Sequence, residues 1–294
     1  MSATSEVPAA FRHAAGDRGP IRLISEGISD IRSRRRLVRY LVQTDIRKRG
    51  ADTLLGNIWW VLDPLLQMVV YVVFLSIVVR KGPPDYPLFI FAAILPWKWF
   101  SASITDATAS IVRHDQLIKQ IQFPKLVLPV AATTAGVVGF AFGTVALGML
   151  MLFFSDRISV YLLFIPLIAA VQFVFTLALT ILVAAGNVFF RDLGNVEGHV
   201  LRLWWFLSPG LYSLADLEQI PFFKNRPALG ALATANPFAI LFEAYRTVIY
   251  GTPEGPPGPP NFASLAILLI ASIGLLAVTT VVFKRLEPSF AKVI

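Results

Sequence analysis

Long apolar runs alternate with short polar or basic segments over most of the 294-residue chain. Residues 58–79, 126–154, 158–186 and 262–283 are almost free of charged side chains. A helix rises 1.5 Å per residue, so about 20 apolar residues cross the roughly 30 Å hydrocarbon core of a bilayer. Each run therefore predicts a membrane-spanning helix. Because only Asp156–Arg157 interrupts the middle two, they predict a helical hairpin with a very short loop.

Two further apolar runs are less regular. The run 88–111 contains Pro96, Lys98 and Asp106, and the run 199–217 is broken by Ser208-Pro209-Gly210. With both included, the pattern predicts an all-α integral membrane protein with six spans.

The same pattern sets the predicted domain boundaries. Residues 1–57 form an N-terminal segment, 58–283 the transmembrane domain and 284–294 a C-terminal tail, because the last apolar run stops at Lys284–Arg285. Residues 1–20 are predicted to be disordered. Residues 251–261 (GTPEGPPGPPN) are predicted to be a loop, because proline and glycine break regular structure.

Residues 30–50 predict an amphipathic helix on the membrane surface. Leu37, Val38, Leu41 and Val42 share one face at helical spacing, and the opposite face carries Arg36, Arg39, Gln43 and Arg47. Such a helix buries its apolar face in the interface and presents its basic face to anionic headgroups. The alternative is an ordinary basic flank that only sets the orientation of the first span.

Between the last two predicted spans, two apolar segments are separated by Asn236–Pro237. Each is about 10–14 residues long, which is too short to cross a bilayer and is typical of re-entrant or interfacial helices.

Composition and charge agree with a membrane protein. The chain is 56% hydrophobic and 15% charged, with a mean hydropathy of +0.67, whereas soluble domains carry about 25% charge. Of its 26 Lys and Arg residues, 19 lie before residue 58, in 112–125, in 187–202 or after 283. Basic residues are retained on the cytoplasmic side, so both termini are predicted to be cytoplasmic, and the net charge of +8 needs no nucleic-acid partner.

The sequence also excludes several kinds of chemistry. It contains no cysteine, no GxxxxGK[ST] phosphate loop and no HExxH or GxSxG motif, and its three histidines lack metal-ligand spacing. We therefore expect no catalytic residues, no metal site and no cofactor in this chain. Lys98 lies inside a predicted span, where an unpaired Lys costs about 2.5–3.5 kcal/mol. We expect it to face protein or a water-filled interior, with Asp106 sharing part of its face.

Six segments, in order, carry a resemblance to a known family. The chain is similar to the permease subunits of ABC-type polysaccharide exporters, which export cell-envelope glycans such as the O-antigen of lipopolysaccharide, teichoic acid, capsule and galactan. It departs from their pattern at Gly50, where an aromatic residue is usual, and at Asp63 before Pro64. The matching segments are TDIRKRGADTLLGNIWWVLDPLLQM (44–68), LPWKWFSASI (95–104), LIKQIQFPKLVLPV (117–130), VFFRDLGNV (188–196), FLSPGLYS (206–213) and ANPFAILFEAYR (235–246).

The resemblance implies a half-transporter rather than an enzyme. Two copies would pair with two separate ATPase subunits, which bind ATP and Mg, and would export a lipid-linked polysaccharide across the bacterial plasma membrane. The family's ATPase-coupling segments match the region of Arg113, His114, Asp115, Leu117, Ile118 and Ile121 and the turn with Arg191 and Asp192. From the residues alone, the stripe of Leu117, Ile118 and Ile121 either docks on a cytoplasmic partner or rests on the lipid surface.

In this family the channel is lined mainly by the first and fifth spans, with aromatic rings toward the glycan. Trp and Tyr also populate ordinary membrane interfaces, so about half of the candidates are expected to form plain aromatic belts. The candidates are Trp59, Trp60, Tyr71, Phe74, Trp97, Trp99, Trp204, Trp205 and Tyr212.

Three other functions stay open at this point. A permease of the same fold could export a drug or a small lipid, although the inner amphipathic helix and the FPKLVLP segment favour polysaccharide. An integral-membrane glycosyltransferase would need outward-facing acids, which here are scattered. A non-transporting assembly scaffold is compatible with the composition.

Overall fold

A computed structural model of the chain describes residues 19–50, 54–75, 84–213 and 234–293. Within these ranges all regular secondary structure is helical. Short 3₁₀ turns at Gly56–Ile58, Ser155–Arg157 and Val160–Phe164 connect or precede longer helices. The α-helices are α1 (Pro20–Ser33), α2 (Arg35–Gly50), α3 (Trp59–Val73), α4 (Tyr86–Arg113), α5 (Asp115–Gln120), α6 (Val127–Met151), α7 (Ile165–Phe189), α8 (Leu193–Leu207), α9 (Pro237–Ile249) and α10 (Phe262–Val293).

Five helical stretches among the described residues are long and apolar enough to cross a membrane, which confirms an all-α integral membrane protein. They are Gly56–Val73, Tyr86–Arg113, Val127–Met151, Val160–Phe189 and Phe262–Phe290. The predicted fifth span corresponds to α8, whose 15 residues extend about 23 Å at 1.5 Å per residue. Since residues 214–233 lie outside the described ranges, the count of six spans stays a prediction.

Helix α4 is the centre of the bundle and contacts α3, α6, α7, α8 and α9. Its residues 88–97 are buried on every side, as expected of a helix that is apolar all round. The helix begins after Asp85, whose φ of 51° sets a sharp left-handed turn, and it has Pro87 in its first turn. It ends at Arg113.

Two glycines let α6 pack closely on α4. A Cβ atom at Gly136 would collide with the Trp99 ring and Ser103, and one at Gly143 would collide with Leu95. In a bilayer no hydrophobic force drives helices together, so small residues that permit close van der Waals contact stabilise such an interface.

The predicted hairpin over 126–186 is present as α6 and α7, but the loop predicted to be very short is a connection over residues 152–164. This connection contains two short 3₁₀ turns, the first of which includes Asp156 and Arg157. Helix α7 packs against both α10 and α4. We call the end of the bundle near Arg113, Val127 and Phe290 the proximal end, and the end near Tyr86, Met151 and Phe262 the distal end.

The N-terminal segment forms two helices rather than one. The predicted amphipathic helix appears as α2, but the chain breaks at Arg34 and a second helix, α1, precedes it. Helix α1 packs on α10 and helix α2 packs on α6, both at the proximal end. Of the stretch predicted to be disordered, residues 1–18 lie outside the described residues.

The prediction that the last helix stops at Lys284–Arg285 is wrong, because α10 continues to Val293. Lys284 is neutralised within the protein: its Nζ lies 2.7 Å from carboxylate oxygens of both Asp30 and Glu287. Phe283 and Phe290 are fully buried beside it. Lys284, Glu287 and Phe290, which the sequence assigns to a tail, are therefore part of the proximal core.

Of the two short apolar segments that follow α8, only the second lies within the described residues. The first lies largely in 214–233, outside the described residues. The second is α9, a 13-residue helix about 20 Å long. Asn236 begins it as an N-cap whose side-chain oxygen accepts a hydrogen bond from the Phe238 N–H, and Pro237 occupies the first turn. Phe238, Leu241, Phe242 and Tyr245 of this helix are buried in the main core.

Candidate functional site

Within the described residues, α3 and α8 each leave an apolar face exposed, and so do parts of α6 and α10. Only 11% of the span that contains α3 is buried, against 78% of the span formed by α4. On α3 the exposed side chains include Leu66, Val70 and Phe74. On α8 they include Val200, Leu203, Phe206 and Leu207. The faces on α3 and α8 belong to the first and fifth predicted spans.

Three of the predicted channel aromatics are core residues instead. Trp97, Trp99 and Trp205 are only 3–6% exposed. The Trp97 ring packs against the rings of Phe238 at 4.8 Å and Trp205 at 5.5 Å. They are enclosed because α6, α8 and α9 all contact the central helix α4. In this structure these three rings therefore belong to the core, and their contact with a glycan stays a prediction.

The other six aromatic candidates keep ring surface outside the core. Trp59 and Phe74 are exposed, while Trp60, Tyr71, Trp204 and Tyr212 are half-buried. The rings of Tyr71 and Trp205 lie 6.0 Å apart, so α3 and α8 meet at this point. Their two exposed faces therefore lie on neighbouring helices.

Lys98 and Asp106 each have their own partner. Lys98 forms an ion pair with Asp63 of α3, and Asp106 forms one with Arg49 of α2. Arg49 also lies 3.1 Å from Asp45. Lys98 and Asp63 line a cavity of about 110 Å³ with Trp60, Trp99 and Gly139, which agrees with the expectation that Lys98 faces a protein-lined interior.

Arg49, which lies on α2 outside the spans, pairs with the carboxylates of Asp45 and Asp106. Burial lowers the pKa of Arg49, but the negative charges of Asp106 and Asp45 raise it by more, so it lies above the ordinary value. The guanidinium also lies 6.0 Å from the centre of the Trp60 ring. Sequence reasoning found Asp106 but missed Arg49, because a basic residue near the first span reads as a simple topology signal.

The predicted coupling segment is only partly available to a partner. Helix α5 follows α4 after a break at His114, and the carboxylate of Asp115 in its first turn accepts a hydrogen bond from the Gln116 N–H at 2.7 Å. Ile118 is 7% exposed and packs with Leu117 into the chain's own proximal core, so the side chains of the stripe are not all on the surface. Whether the segment docks on a partner or rests on lipid stays open. Ile121 is 55% exposed and Arg113 is exposed.

The second coupling candidate lies on the surface. Arg191 and Asp192 form the turn between α7 and α8, and both side chains are exposed. Phe190 beside them is 70% exposed. Their role in coupling stays a prediction.

The basic and apolar faces of α2 follow the predicted pattern. Arg36, Arg39 and Arg47 are exposed. Leu41 is half-buried and packs with Leu37 and Val38 against the proximal core. The apolar face of α2 therefore packs on the protein itself.

Arg246 is a structural residue that sequence reasoning missed. It is 3% exposed, and its guanidinium donates hydrogen bonds to the carbonyl oxygens of Pro209 at 2.6 Å, Gly210 at 2.5 Å and Tyr212 at 3.1 Å. It also donates to the Phe89 carbonyl of α4. The break after α8 is therefore fixed to α9 and α4 by one side chain.

Asn236 adds a second connection to the same break. Its side-chain oxygen accepts from the Trp204 indole N–H at 3.2 Å, and its amide donates to the Ser208 hydroxyl at 2.8 Å. Tyr245 on the same helix α9 donates to Gln172 of α7 at 3.1 Å. Burial raises the pKa of Tyr245 well above its ordinary value, which keeps the phenol protonated as a donor.

Arg157 closes the distal end in a similar way. It pairs with Asp85 at 2.9 Å and donates to the carbonyl oxygens of Tyr250, Thr252 and Gly255 at 2.8–3.1 Å. The helical hairpin, the start of α4 and the proline-rich loop are thereby held together. Among the described residues, no group of His, Asp or Glu side chains is arranged to hold a metal ion.

Comparison with known proteins identifies the family. No protein-family model matches the chain. It is 30% identical over 260 residues to the O-antigen export system permease protein RfbA of Myxococcus xanthus, covering 88% of this chain and 95% of that protein. Two proteins of the same name from Klebsiella pneumoniae are each 27% identical over 259 residues, with the same coverage. Together with the helical bundle and the order of its segments, this similarity shows that the chain belongs to the family of permease subunits of ABC-type polysaccharide exporters.

Proposed function

We propose that two copies of this chain associate through α3 and α8 and conduct a lipid-linked polysaccharide between them, driven by two separate ATPase subunits. The chain is the permease half of a polysaccharide exporter. The pairing, the lipid link and the number of ATPase subunits are the proposed part.

The observation that carries the proposal is the uneven burial of the bundle. The α4 span is largely enclosed, whereas the α3 span is the least buried of the five described spans and α8 leaves most of its apolar side chains exposed. The six candidate aromatics that are not fully buried lie on these two helices or, for Phe74 and Tyr212, just after them. A second copy placed against them would turn an exposed face into a passage lined by rings.

Aromatic rings suit a polysaccharide that slides. They stack on the apolar faces of sugar rings without demanding one pattern of hydroxyl groups, so successive residues can pass. Trp59 lies near the proximal end of α3 and Phe74 near its distal end, and Tyr71 and Trp204 lie between. This distribution supports contacts along the length of a passage rather than one binding site.

Separate ATPase subunits are supported by the missing phosphate loop and by the relatives' name, which describes the permease part of an export system. Exposed Ile121, Phe190, Arg191 and Asp192 at the proximal end provide surface for such a partner. The charge distribution supports an orientation with both termini in the cytoplasm and the distal end outside, in a bacterial inner membrane.

The pairing is tested by single-cysteine cross-linking, since the natural chain has no cysteine. Val70→Cys on α3 and Phe206→Cys on α8 change exposed residues, and Ile270→Cys on α10 is a control that is 71% exposed. Oxidation in native membranes should link two copies at Val70 or Phe206 and leave the Ile270 variant monomeric. Dimers formed only by the control would show that another face pairs.

The transported substrate is tested by complementation. The host is a bacterial strain that lacks its own polysaccharide-export permease. It should regain surface polysaccharide when it receives this chain together with the ATPase and glycosyltransferases encoded in the same genome as this chain. Accumulation of lipid-linked glycan inside the cell without the chain, and its clearance with the chain, would support export. Unchanged accumulation with a membrane-inserted chain would contradict it.

A further inference from the structure

A cleft of about 260 Å³ lies between α2, the last two turns of α4 and the first turns of α6. It has far more room than the roughly 30 Å³ that one water occupies. Helix α2 contributes Leu41, Thr44, Asp45 and Lys48, α4 contributes Asp106, Ser110 and Arg113 with His114 after it, and α6 contributes Leu128, Ala131 and Ala132.

Along α2, the side chains facing the bundle change from apolar to polar where the cleft begins. The face of α2 that packs on the bundle begins with apolar Leu37, Val38 and Leu41, and one turn later it continues with Thr44, Asp45 and Lys48. Residues three and four apart share one face of a helix, so the polar group follows the apolar group on the same side. The cleft is therefore a polar opening at the end of an otherwise apolar interface.

Within the described residues, the negative side chains that line the cleft form ion pairs, whereas the positive ones do not. Arg49 pairs with both carboxylates, Asp45 and Asp106. Among the described residues, no carboxylate lies within ion-pair distance of Lys48 or Arg113, and both side chains are exposed. Arg113 attracts Asp106 electrostatically but forms no ion pair with it, so both cations of the lining keep exposed charge for an anion, while Arg49 pairs with the two anions.

The position of the cleft indicates where such an anion comes from. Arg113 is the last residue of a membrane-length helix, and Leu128 is the second residue of the next one. The cleft therefore lies at the level where hydrocarbon gives way to headgroups. Apolar Leu41, Leu128 and two alanines line its other side, which suits a group that has both a charge and a hydrocarbon chain.

We propose that this cleft binds the phosphate group of a lipid, with Lys48 and Arg113 as its ligands. Arg binds phosphate in two-point geometry and Lys binds it as a point charge, and the phosphate oxygens accept their hydrogen bonds. The lipid is either a bilayer phospholipid or the lipid phosphate that carries the exported glycan. The second source rests on the proposed function, and the first does not.

The experiment compares two variants that lose the same charge. In Lys48→Gln/Arg113→Gln both cations of the cleft are removed. In Arg36→Gln/Arg39→Gln two exposed cations of α2 are removed that do not line it. The purified full-length proteins are placed in phosphatidylcholine nanodiscs containing phosphatidylglycerol, and retained lipid is measured by native mass spectrometry after detergent extraction.

We expect the wild type and the Arg36/Arg39 variant to retain phosphatidylglycerol, and the Lys48/Arg113 variant to bind it at least tenfold more weakly. The charge-conserving variant Lys48→Arg/Arg113→Lys should keep the lipid, which shows that the site tolerates substitution without unfolding. Equal loss in both neutralised variants would overturn the proposal, because it would show only diffuse attraction to a basic surface. So would a wild type that retains no anionic lipid.

A second arm identifies the source of the phosphate. Nanodiscs that contain both phosphatidylglycerol and a polyprenyl phosphate are compared with those that contain one of them. If the polyprenyl phosphate displaces phosphatidylglycerol from the wild type but does not bind the Lys48/Arg113 variant, the cleft binds the substrate's lipid. If phosphatidylglycerol stays bound, the cleft binds a bilayer lipid. The readout needs neither ATPase nor export, so it is separable from the proposed function.

Discussion

Three glycines on α6 allow a graded test of the packing between α4 and α6. Alanine at Gly136 would bring its Cβ to 2.8 and 3.0 Å from Cδ1 and Nε1 of the Trp99 indole and into contact with the Ser103 hydroxyl. Alanine at Gly143 would meet only the tip of Leu95, and alanine at Gly139 would meet no heavy atom within 4 Å. The same substitution on one helix thus meets a rigid ring, a flexible chain end or open space.

The expected magnitudes follow from two opposing effects. Replacing glycine by alanine inside a helix stabilises by about 0.5–1 kcal/mol, because the unfolded backbone loses freedom. Overpacking a tight core costs about 1–3 kcal/mol, and the buried Trp99 ring cannot move aside as Leu95 can. The gain is common to all three variants, so we expect Gly136→Ala to be about 1–3 kcal/mol less stable than Gly139→Ala, with Gly143→Ala between them.

The assay is thermal unfolding of the purified chain in detergent, followed by intrinsic tryptophan fluorescence. About 1 kcal/mol moves Tm by roughly 2–4 °C in a chain of 150–250 residues, so the two extreme variants should differ by about 2–12 °C. Gly148→Ala is a matched control on the same helix, since its Cβ also meets no atom within 4 Å. If Gly136→Ala melts at or above Gly139→Ala, the close approach of α4 and α6 at Trp99 is wrong.

Two further predictions concern residues at the two ends of the bundle. Arg246→Gln leaves the carbonyl oxygens of Pro209 and Gly210 without their donor, and each buried unpaired group costs about 1–3 kcal/mol. Amide hydrogen exchange at 208–213 should therefore become faster than in wild type, whereas the exposed control Arg202→Gln should leave it unchanged. Equal exchange rates in the two variants would show that Arg246 does not hold this segment in place. Ile121→Asp should reduce co-purification with the partner ATPase without lowering the amount of folded chain, because Ile121 is exposed. Ile28→Asp on α1 is the exposed control. Full co-purification of the Ile121→Asp variant would show that this segment is not the docking surface.

The apolar pattern alone determined where most helices lie. Long runs without charge have few stable structures other than membrane helices, since unpaired backbone groups are too costly in hydrocarbon. The hairpin over 126–186, the surface helix α2 and the loop after Tyr250 follow from this rule and from local residue preferences. The order of short motifs then indicated the family before any geometry was known.

The same pattern failed where one feature has two meanings. A basic residue at the end of an apolar run marks a boundary in the sequence, yet Lys284 lies within α10 because Asp30 and Glu287 neutralise it. An apolar stripe on a short helix marks a docking surface, yet Ile118 is covered by the chain's own helices. Both outcomes depend on neighbours that are distant in sequence.

Only the tertiary structure decided which tryptophans are core and which face outward. Helical periodicity assigns residues to faces of one helix, but it does not say which neighbouring helix covers a face. Trp97 and Trp99 are enclosed because α4 is contacted on all sides, whereas Trp59 remains exposed because α3 lies at the edge. Arg49, Arg157 and Arg246 acquired their roles for the same reason. The chain's topology brings carboxylate oxygens to Arg49, carbonyl oxygens to Arg246 and both kinds to Arg157, and these oxygens stabilise a charge that burial alone would exclude.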